Sequence, residues 1–197
     1  MHNRYYSYLV KILDILNIKD FFVSKLLYNK AGLFCLNIIN KIRWQYVDLT
    51  IIIWPPAKNV FDEIQSDIAK EHEILKIREF EVAEINFKSF VEDIYAIDHA
   101  SQNKIKNKLD ELKRNPLKMR LLIVRFLKPE IYAVDLLNRV RCRDVNNLKI
   151  NIRKKYESKI TNYIYDLIIH STEIDYQTND IYNLFKKYDI YDFKKIK

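Results

Sequence analysis

Glycine is almost absent from this sequence. Gly32 is the only one among 197 residues, where average usage of about 7% would give roughly fourteen. Walker A loops and dinucleotide-binding fingerprints need several glycines at fixed offsets, because backbone N–H groups must approach phosphates closely. Neither loop can be built from this chain, so a bound phosphate would have to be held by side chains.

Cysteine is also scarce, and long apolar runs are missing. Cys35 and Cys142 lie far apart, without the spacing of a zinc site or a disulfide framework. Lys11 and Asp14 interrupt the apolar N-terminal segment, and no run reaches about 18 uninterrupted apolar residues. We therefore expect a cytoplasmic protein in a reducing compartment.

The composition is that of a folded chain whose positive charge is concentrated in one region. Hydrophobic residues make up 49% and charged residues 30% of the chain, with a formal net charge of +8, whereas disordered chains combine low hydrophobicity with high net charge. Residues 101–160 contain 17 lysines and arginines against 6 acidic residues. This concentration indicates an anionic ligand such as a nucleotide, a nucleic acid or a lipid surface, although a solvated helical face explains it equally well.

The first 45 residues show helical periodicity. Apolar residues recur at helical spacing in two stretches, 5–16 and 27–42. We expect residues 1–45 to form an amphipathic helical extension that covers the domain behind it. Its basic and aromatic content leaves peripheral contact with a membrane surface as the alternative.

From residue 46 the pattern changes to short β-branched runs that alternate with helices. Strands are predicted at 47–54, 74–82, 117–127 and 163–169. Helical periodicity fills the intervals, including residues 131–143, and a last helix follows the fourth strand. Four strands interleaved with helices predict an α+β domain of the ferredoxin-like kind over residues 46–197, with a mostly antiparallel sheet covered by helices.

One of the four histidines is placed for chemistry. His170 ends the apolar run 165–169 and precedes Ser171, Thr172 and Glu173. A histidine at the end of a strand can present a ring nitrogen from a rigid scaffold, and the following polar side chains are close enough in sequence to orient the other nitrogen.

The segment DLIIHSTE, residues 166–173, resembles the active-site strand N-x-x-H-G-S-D of nucleoside diphosphate kinases. The histidine, the hydroxyl two residues later and the acid three residues later match, and DIYNLF at 180–185 is similar to the family's next helix, which an acidic residue opens. NIRKKY at 151–156 is similar to the family's T-I-R-G-D-F, and IIIWPP at 51–56 stands where the family has an apolar strand leading into K-P-D-G. The resemblance spans residues 46–188 and implies the same ferredoxin-like fold.

This resemblance implies a phosphotransferase. The terminal phosphate of a nucleoside triphosphate, bound with Mg²⁺, would pass through a phosphohistidine at His170. Glu173 or Asp180 would accept a hydrogen bond from the other ring nitrogen. The residues implied to hold the substrate are Arg153, one arginine of the preceding helix among Arg139, Arg141 and Arg143, and also Thr172 and Lys58.

Four positions depart from the family pattern: Trp54 replaces its lysine, Pro56 its aspartate, Leu167 its asparagine and Ser171 its glycine. Lys58 is the candidate replacement for the lysine. Because a fold hosts many functions, two alternatives stay open: a degenerate, non-catalytic domain that binds a nucleotide or a protein, and, less favoured, a nucleic-acid-binding module. The exposed edge strand of such a fold also predicts association into a homo-oligomer.

Overall fold

The computed structural model describes most of the chain after residue 44. The described residues are 45–97, 102–112, 117–134, 139–161, 163, 167–188 and 190. Both helices predicted before residue 45 lie outside them. The chain divides into two compact units, one formed by residues 1–44 and 131–141 and the other by residues 45–130 and 142–197.

The second unit is built on a four-stranded antiparallel sheet in the order β2-β3-β1-β6. Its strands are Tyr46–Ile53 (β1), Glu73–Glu81 (β2), Lys118–Leu127 (β3) and Ile169–Ser171 (β6). The apolar runs of β1 and β3 are buried on both faces, as is typical of central strands with a layer on each side.

Helices cover both faces of this sheet. They are Phe61–Glu71 (α1), Glu84–Ile97 (α2), Gln102–Leu112 (α3), Arg143–Tyr156 (α4) and Asp175–Lys187 (α5), with short 3₁₀ turns at Pro55–Val60 and Glu157–Lys159. Ile52 and Leu121 pack with apolar residues of α2, α3 and α5 in one cluster. Arg120 directly precedes Leu121 in β3, so its side chain projects to the opposite face of the sheet. There it lies over the Phe61 ring of α1, which places α1 and its neighbour α4 on that face.

The sheet and its helices confirm the predicted ferredoxin-like class, but the prediction of a helix over residues 131–143 was wrong. Those residues form the strands Ile131–Val134 (β4) and Arg139–Cys142 (β5), which pair in a separate two-stranded sheet. The physical reason is that R-V-R-C alternates polar and apolar residues with a period of two, while I-Y-A-V contains β-branched and aromatic residues, which favour strands.

The fourth predicted strand is also placed differently. In the described part of 163–169, pairing begins only at Ile169, and β6 then continues to Ser171. The limit is set by the partner strand. Trp54 still donates its N–H to the Ile168 carbonyl at 2.9 Å, but the next residue whose backbone would face β6 is Pro56, which has no N–H to give. His170 therefore lies within the strand, not after it.

None of the helices in the described ranges combines the length and the hydrophobicity needed to span a bilayer.

Asp67 connects α1 to α4, the helix that packs against β6, through side-chain hydrogen bonds. Its carboxylate accepts hydrogen bonds from Lys155 Nζ at 2.5 Å, Tyr156 Oη at 2.7 Å and Lys70 Nζ at 2.8 Å. These hydrogen bonds hold the pKa of Asp67 well below its ordinary value, and the bond from Lys155 has the largest effect. Burial, followed by the bond to Asp67, raises the pKa of Tyr156. This connection between the two helices therefore depends on an ionised Asp67.

We expect Asp67→Asn to lower the free energy of unfolding by about 1 to 2 kcal/mol at neutral pH, because three donors lose a charged acceptor. A carboxyl whose pKa is lower in the folded state stabilises the fold above its unfolded pKa of about 4, and this contribution is lost as the pH falls further. Urea unfolding at pH 7, 4.5 and 3 should thus show a smaller acid loss in Asp67→Asn than in wild type. The exposed Glu71→Gln serves as control, and identical acid losses in wild type and Asp67→Asn would contradict this role.

Candidate active site around His170

The register of the sheet decides which way His170 points. His170 pairs with Ile52 of β1, and directly paired residues of antiparallel strands project to the same face. Ile52 belongs to the cluster formed with α2, α3 and α5. His170 therefore points into this layer, whereas its neighbours Ile169 and Ser171 project to the face of α4.

The His170 ring is enclosed by two aromatic rings. His170 is 6% exposed, with the Tyr95 ring 5.0 Å away in a T-shaped contact and the Trp54 ring 6.2 Å away, between centroids. Trp54 and Tyr95 stack on each other at 6.1 Å. The histidine is thus held on a rigid strand and fixed from the side by two buried rings.

A lysine that the sequence analysis missed joins this group. Lys108 of α3 is 4% exposed, and its Nζ donates a hydrogen bond to the Tyr95 hydroxyl at 2.9 Å. A signal was present in the sequence, since Lys108 lies three residues after Ile105 and four before Leu112, on the apolar stripe of α3. His170, Trp54, Tyr95 and Lys108 are called the His170 cluster below.

Arg153 lies on the other side of the edge strand. Its Nη2 donates to the Ile169 carbonyl at 2.9 Å. Because His170 and Ile52 exchange the ladder hydrogen bonds, the backbone groups of Ile169 point away from β1. Arg153 therefore covers the open edge of β6 from α4, and the structure does not bring it to the face on which the His170 ring lies.

Thr172 and Glu173 tie the segment after β6 to the rest of the domain. Thr172 Oγ1 accepts the Thr50 N–H at 2.9 Å and lies 2.9 Å from Thr178 Oγ1 of α5. Glu173 Oε1 accepts a hydrogen bond from Lys149 Nζ of α4 at 2.5 Å, with both side chains about a tenth exposed. Both predicted site residues thus have structural partners that position the strand, and Lys149 was missed by the sequence analysis.

The other predicted residues lie apart from these contacts. Asp180 is exposed on α5, and partial burial raises the pKa of its carboxyl above the ordinary value. Lys58 is exposed in the 3₁₀ turn after β1. No group of three or more His, Cys, Asp or Glu in the described ranges could hold a metal ion.

The three alternative arginines were predicted on a helix, and this was wrong for two of them. Arg139 and Arg141 lie on β5, and both belong to the first unit, which does not contain the four-stranded sheet or His170. Arg143 is the first residue of α4 and forms an ion pair with Glu130 at 2.7 Å, with both side chains about half exposed. Their phosphate-binding roles, like that of Lys58, stay predictions.

Comparison with known proteins bears on the fold. No family model matches the sequence, and neither does any curated protein. Among solved structures, the nucleoside diphosphate kinase of Aquifex aeolicus matches with a TM-score of 0.50 at 12% identity, over 77% of this chain and 99% of that chain. The chain has the nucleoside diphosphate kinase fold. The enzyme from Borrelia burgdorferi, solved with bound vanadate and ADP as a transition-state mimic, matches with a TM-score of 0.42 at 12% identity, over 77% and 94% of the two chains.

The nucleoside diphosphate kinase fold is the one that the DLIIHSTE segment implied, so this part of the resemblance is confirmed. Within the fold, His170 lies on β6, the edge strand of the four-stranded sheet. At 12% identity the likeness extends to the fold alone, and the chemistry has to be argued from the His170 cluster.

We expect Arg153→Ala to lower the free energy of unfolding by about 1 to 2 kcal/mol, because the Ile169 carbonyl loses a charged donor and the edge of β6 is uncovered. Lys154→Ala, at the next and exposed position of α4, should change it by less than about 0.5 kcal/mol. Urea unfolding of the two variants measures the difference. Equal losses would show that Arg153 contributes only diffuse charge.

Proposed function

We propose that the protein is a phosphotransferase in which His170 carries the terminal phosphate of a nucleoside triphosphate. The observation that supports this is the place of His170: the centre of edge strand β6, in a nucleoside diphosphate kinase fold, within a segment that resembles the family's motif. A nucleophile on a paired strand keeps its orientation without a loop having to be ordered first.

The proposed step needs few groups from the protein. The lone pair of one ring nitrogen of His170 forms the N–P bond, the P–O bond to the β-phosphate breaks, and the electron pair leaves on the nucleoside diphosphate. The transfer then runs in reverse onto a second substrate, which makes the reaction ping-pong. Mg²⁺ bound to the nucleotide neutralises phosphate charge, and the protein has to hold the ring and stabilise the phosphoryl oxygens.

Access to the ring is part of this proposal. His170 is 6% exposed and has the Trp54 and Tyr95 rings against it. A phosphate reaches the nitrogen only when one of these rings moves, so we expect nucleotide binding to open a site that is closed in the free protein. Closure also keeps water from the phosphohistidine, which would otherwise hydrolyse.

A second candidate function is supported by Trp54. The side chain is fully buried. In the sequence match, this indole ring replaces a lysine of the family's motif. A domain that had lost transfer would tolerate this replacement, while it could keep a nucleotide or a protein partner as ligand. This candidate is the non-catalytic binding domain. The predicted homo-oligomer and the predicted membrane contact of residues 1–45 stay predictions under both candidates.

Incubation with Mg²⁺ and γ-labelled ATP, followed by intact mass measurement at neutral pH and after acid treatment, tests the proposed function. We expect one acid-labile phosphate on wild type and none on His170→Gln, because the nucleophile is removed. His72→Gln is the matched control and should be labelled like wild type, since the His72 ring packs on Phe126, with centroids 4.3 Å apart.

Binding of nucleotide, measured by calorimetry on the same samples, separates the alternatives. Binding without any label would favour the non-catalytic domain. Neither binding nor label would contradict both candidates and direct the search to nucleic acids and protein partners. Label retained on His170→Gln would show that another residue is the acceptor.

A further inference from the structure

Helix α3 carries a charged side chain into the core beside the candidate nucleophile. Lys108 is 4% exposed and lies among Ile105, Leu109 and Leu112 on the buried face of the helix. Removing an ammonium group from water is unfavourable, and a leucine at this position would pack without that penalty. The presence of lysine at a core position therefore calls for a role that an apolar side chain could not fill.

Lys108 is coupled to His170 through Tyr95. The ammonium group donates to the Tyr95 hydroxyl at 2.9 Å and lies 4.5 Å from the centroid of the same ring, while that ring contacts His170 at 5.0 Å. A hydrogen bond from a cation draws electron density from the phenol oxygen, so the hydroxyl becomes a stronger donor to a negatively charged group. The charge of Lys108 is thus passed on to the immediate surroundings of the imidazole.

An unpaired hydrogen-bond donor in the same cluster is consistent with an anionic ligand there. Trp54 is fully buried and stacks on Tyr95, and its Nε1–H has no hydrogen-bond partner. Buried polar groups in native proteins are nearly always satisfied, and an exception often marks a place where a ligand completes the bond. An indole N–H can only donate, so the missing partner is an acceptor such as a phosphoryl oxygen.

We propose that Lys108, acting through Tyr95, is the positioning residue that supplies positive charge to the phosphoryl group transferred at His170. This inference rests on the proposed function and adds the source of the charge. Lys58 was predicted for this role, but it is exposed in the turn after β1, where its charge is screened by water and salt. Lys108 acts from a buried position, where electrostatic interactions are stronger. No bond of Lys108 is made or broken in the transfer.

The test measures the initial rate of phosphohistidine formation with two donors, MgATP and phosphoramidate. With phosphoramidate the N–P bond to His170 forms while the donor's own P–N bond breaks and ammonia leaves, so no nucleotide site is needed. We expect Lys108→Met to slow labelling by at least about tenfold with both donors. Lys108→Arg should recover part of the rate, because it keeps the charge. Lys106→Met, at an exposed position of the same helix, should leave the rate unchanged.

Coupling through Tyr95 gives a second readout that a purely structural role would not produce. Tyr95→Phe removes only the hydroxyl and should slow labelling to a similar extent as Lys108→Met. The double variant should then be little slower than either single variant, since both remove the same contribution. Thermal unfolding of each variant establishes that the compared proteins are folded.

A wild-type labelling rate in Lys108→Met would overturn the inference. So would a double variant in which the fold-reduction of the labelling rate equals the product of the two single reductions. If Lys108→Met does not fold, Tyr95→Phe decides, and a wild-type rate in that variant overturns it as well. Labelling of wild type by phosphoramidate but not by MgATP would reject the nucleotide reaction, while the Lys108 comparison is still made with phosphoramidate. Labelling of His170 by neither donor would reject both proposals.

Discussion

Three residues of β6 pair with the end of β1, and this short ladder determines which groups meet His170. The register Ile52↔His170 directs the imidazole into the layer of α2, α3 and α5. A shift of one residue would turn it towards α4 and Arg153, into a different environment. Pro56, at the next position whose backbone would face β6, ends the ladder on one side. The position of the ring therefore follows from backbone hydrogen bonds, before any side chain of the site contributes.

A strand of three residues at the edge of a sheet needs support from outside, and three residues first expected to take part in the reaction, Arg153, Thr172 and Glu173, contribute to it. Arg153 holds the outward carbonyl of Ile169, and Lys149 pairs with Glu173 just beyond the strand. Thr172 connects the same segment to β1. The contacts of Arg153 and Lys149 restrain the strand from α4, on the side opposite to the imidazole, whereas Thr172 also contacts Thr178 of α5 on the same side as the imidazole. They explain why polar and basic residues cluster in the sequence around His170 without lying against its ring.

The sequence contained enough to predict the sheet and to single out His170, but not the side chains that surround its ring. The buried runs of β1 and β3 are visible as β-branched segments, because central strands show no alternation. The partners of His170 come from a strand end and two helices, and their meeting depends on the register and on helix packing, which local patterns do not encode. Lys108 lies 62 positions before His170 in the sequence, and a single lysine in a charged helix is usually solvated. Only the apolar stripe around Lys108 indicated otherwise.

The pairing of charges inside the domain limits the number of basic side chains available to an anionic ligand. Residues 46–100 have a net charge of −7 and residues 101–160 of +11, and the fold pairs the two regions across the sheet and the helices. Arg120 bonds Asp62 and Glu79, and Arg125 bonds Asp48. Much of the basicity that indicated an anionic ligand is thus used inside the domain. An anion at His170 would depend on cations near the ring, and Lys108 is connected to the ring through Tyr95, in a buried position where water and salt weaken its field less than at the surface.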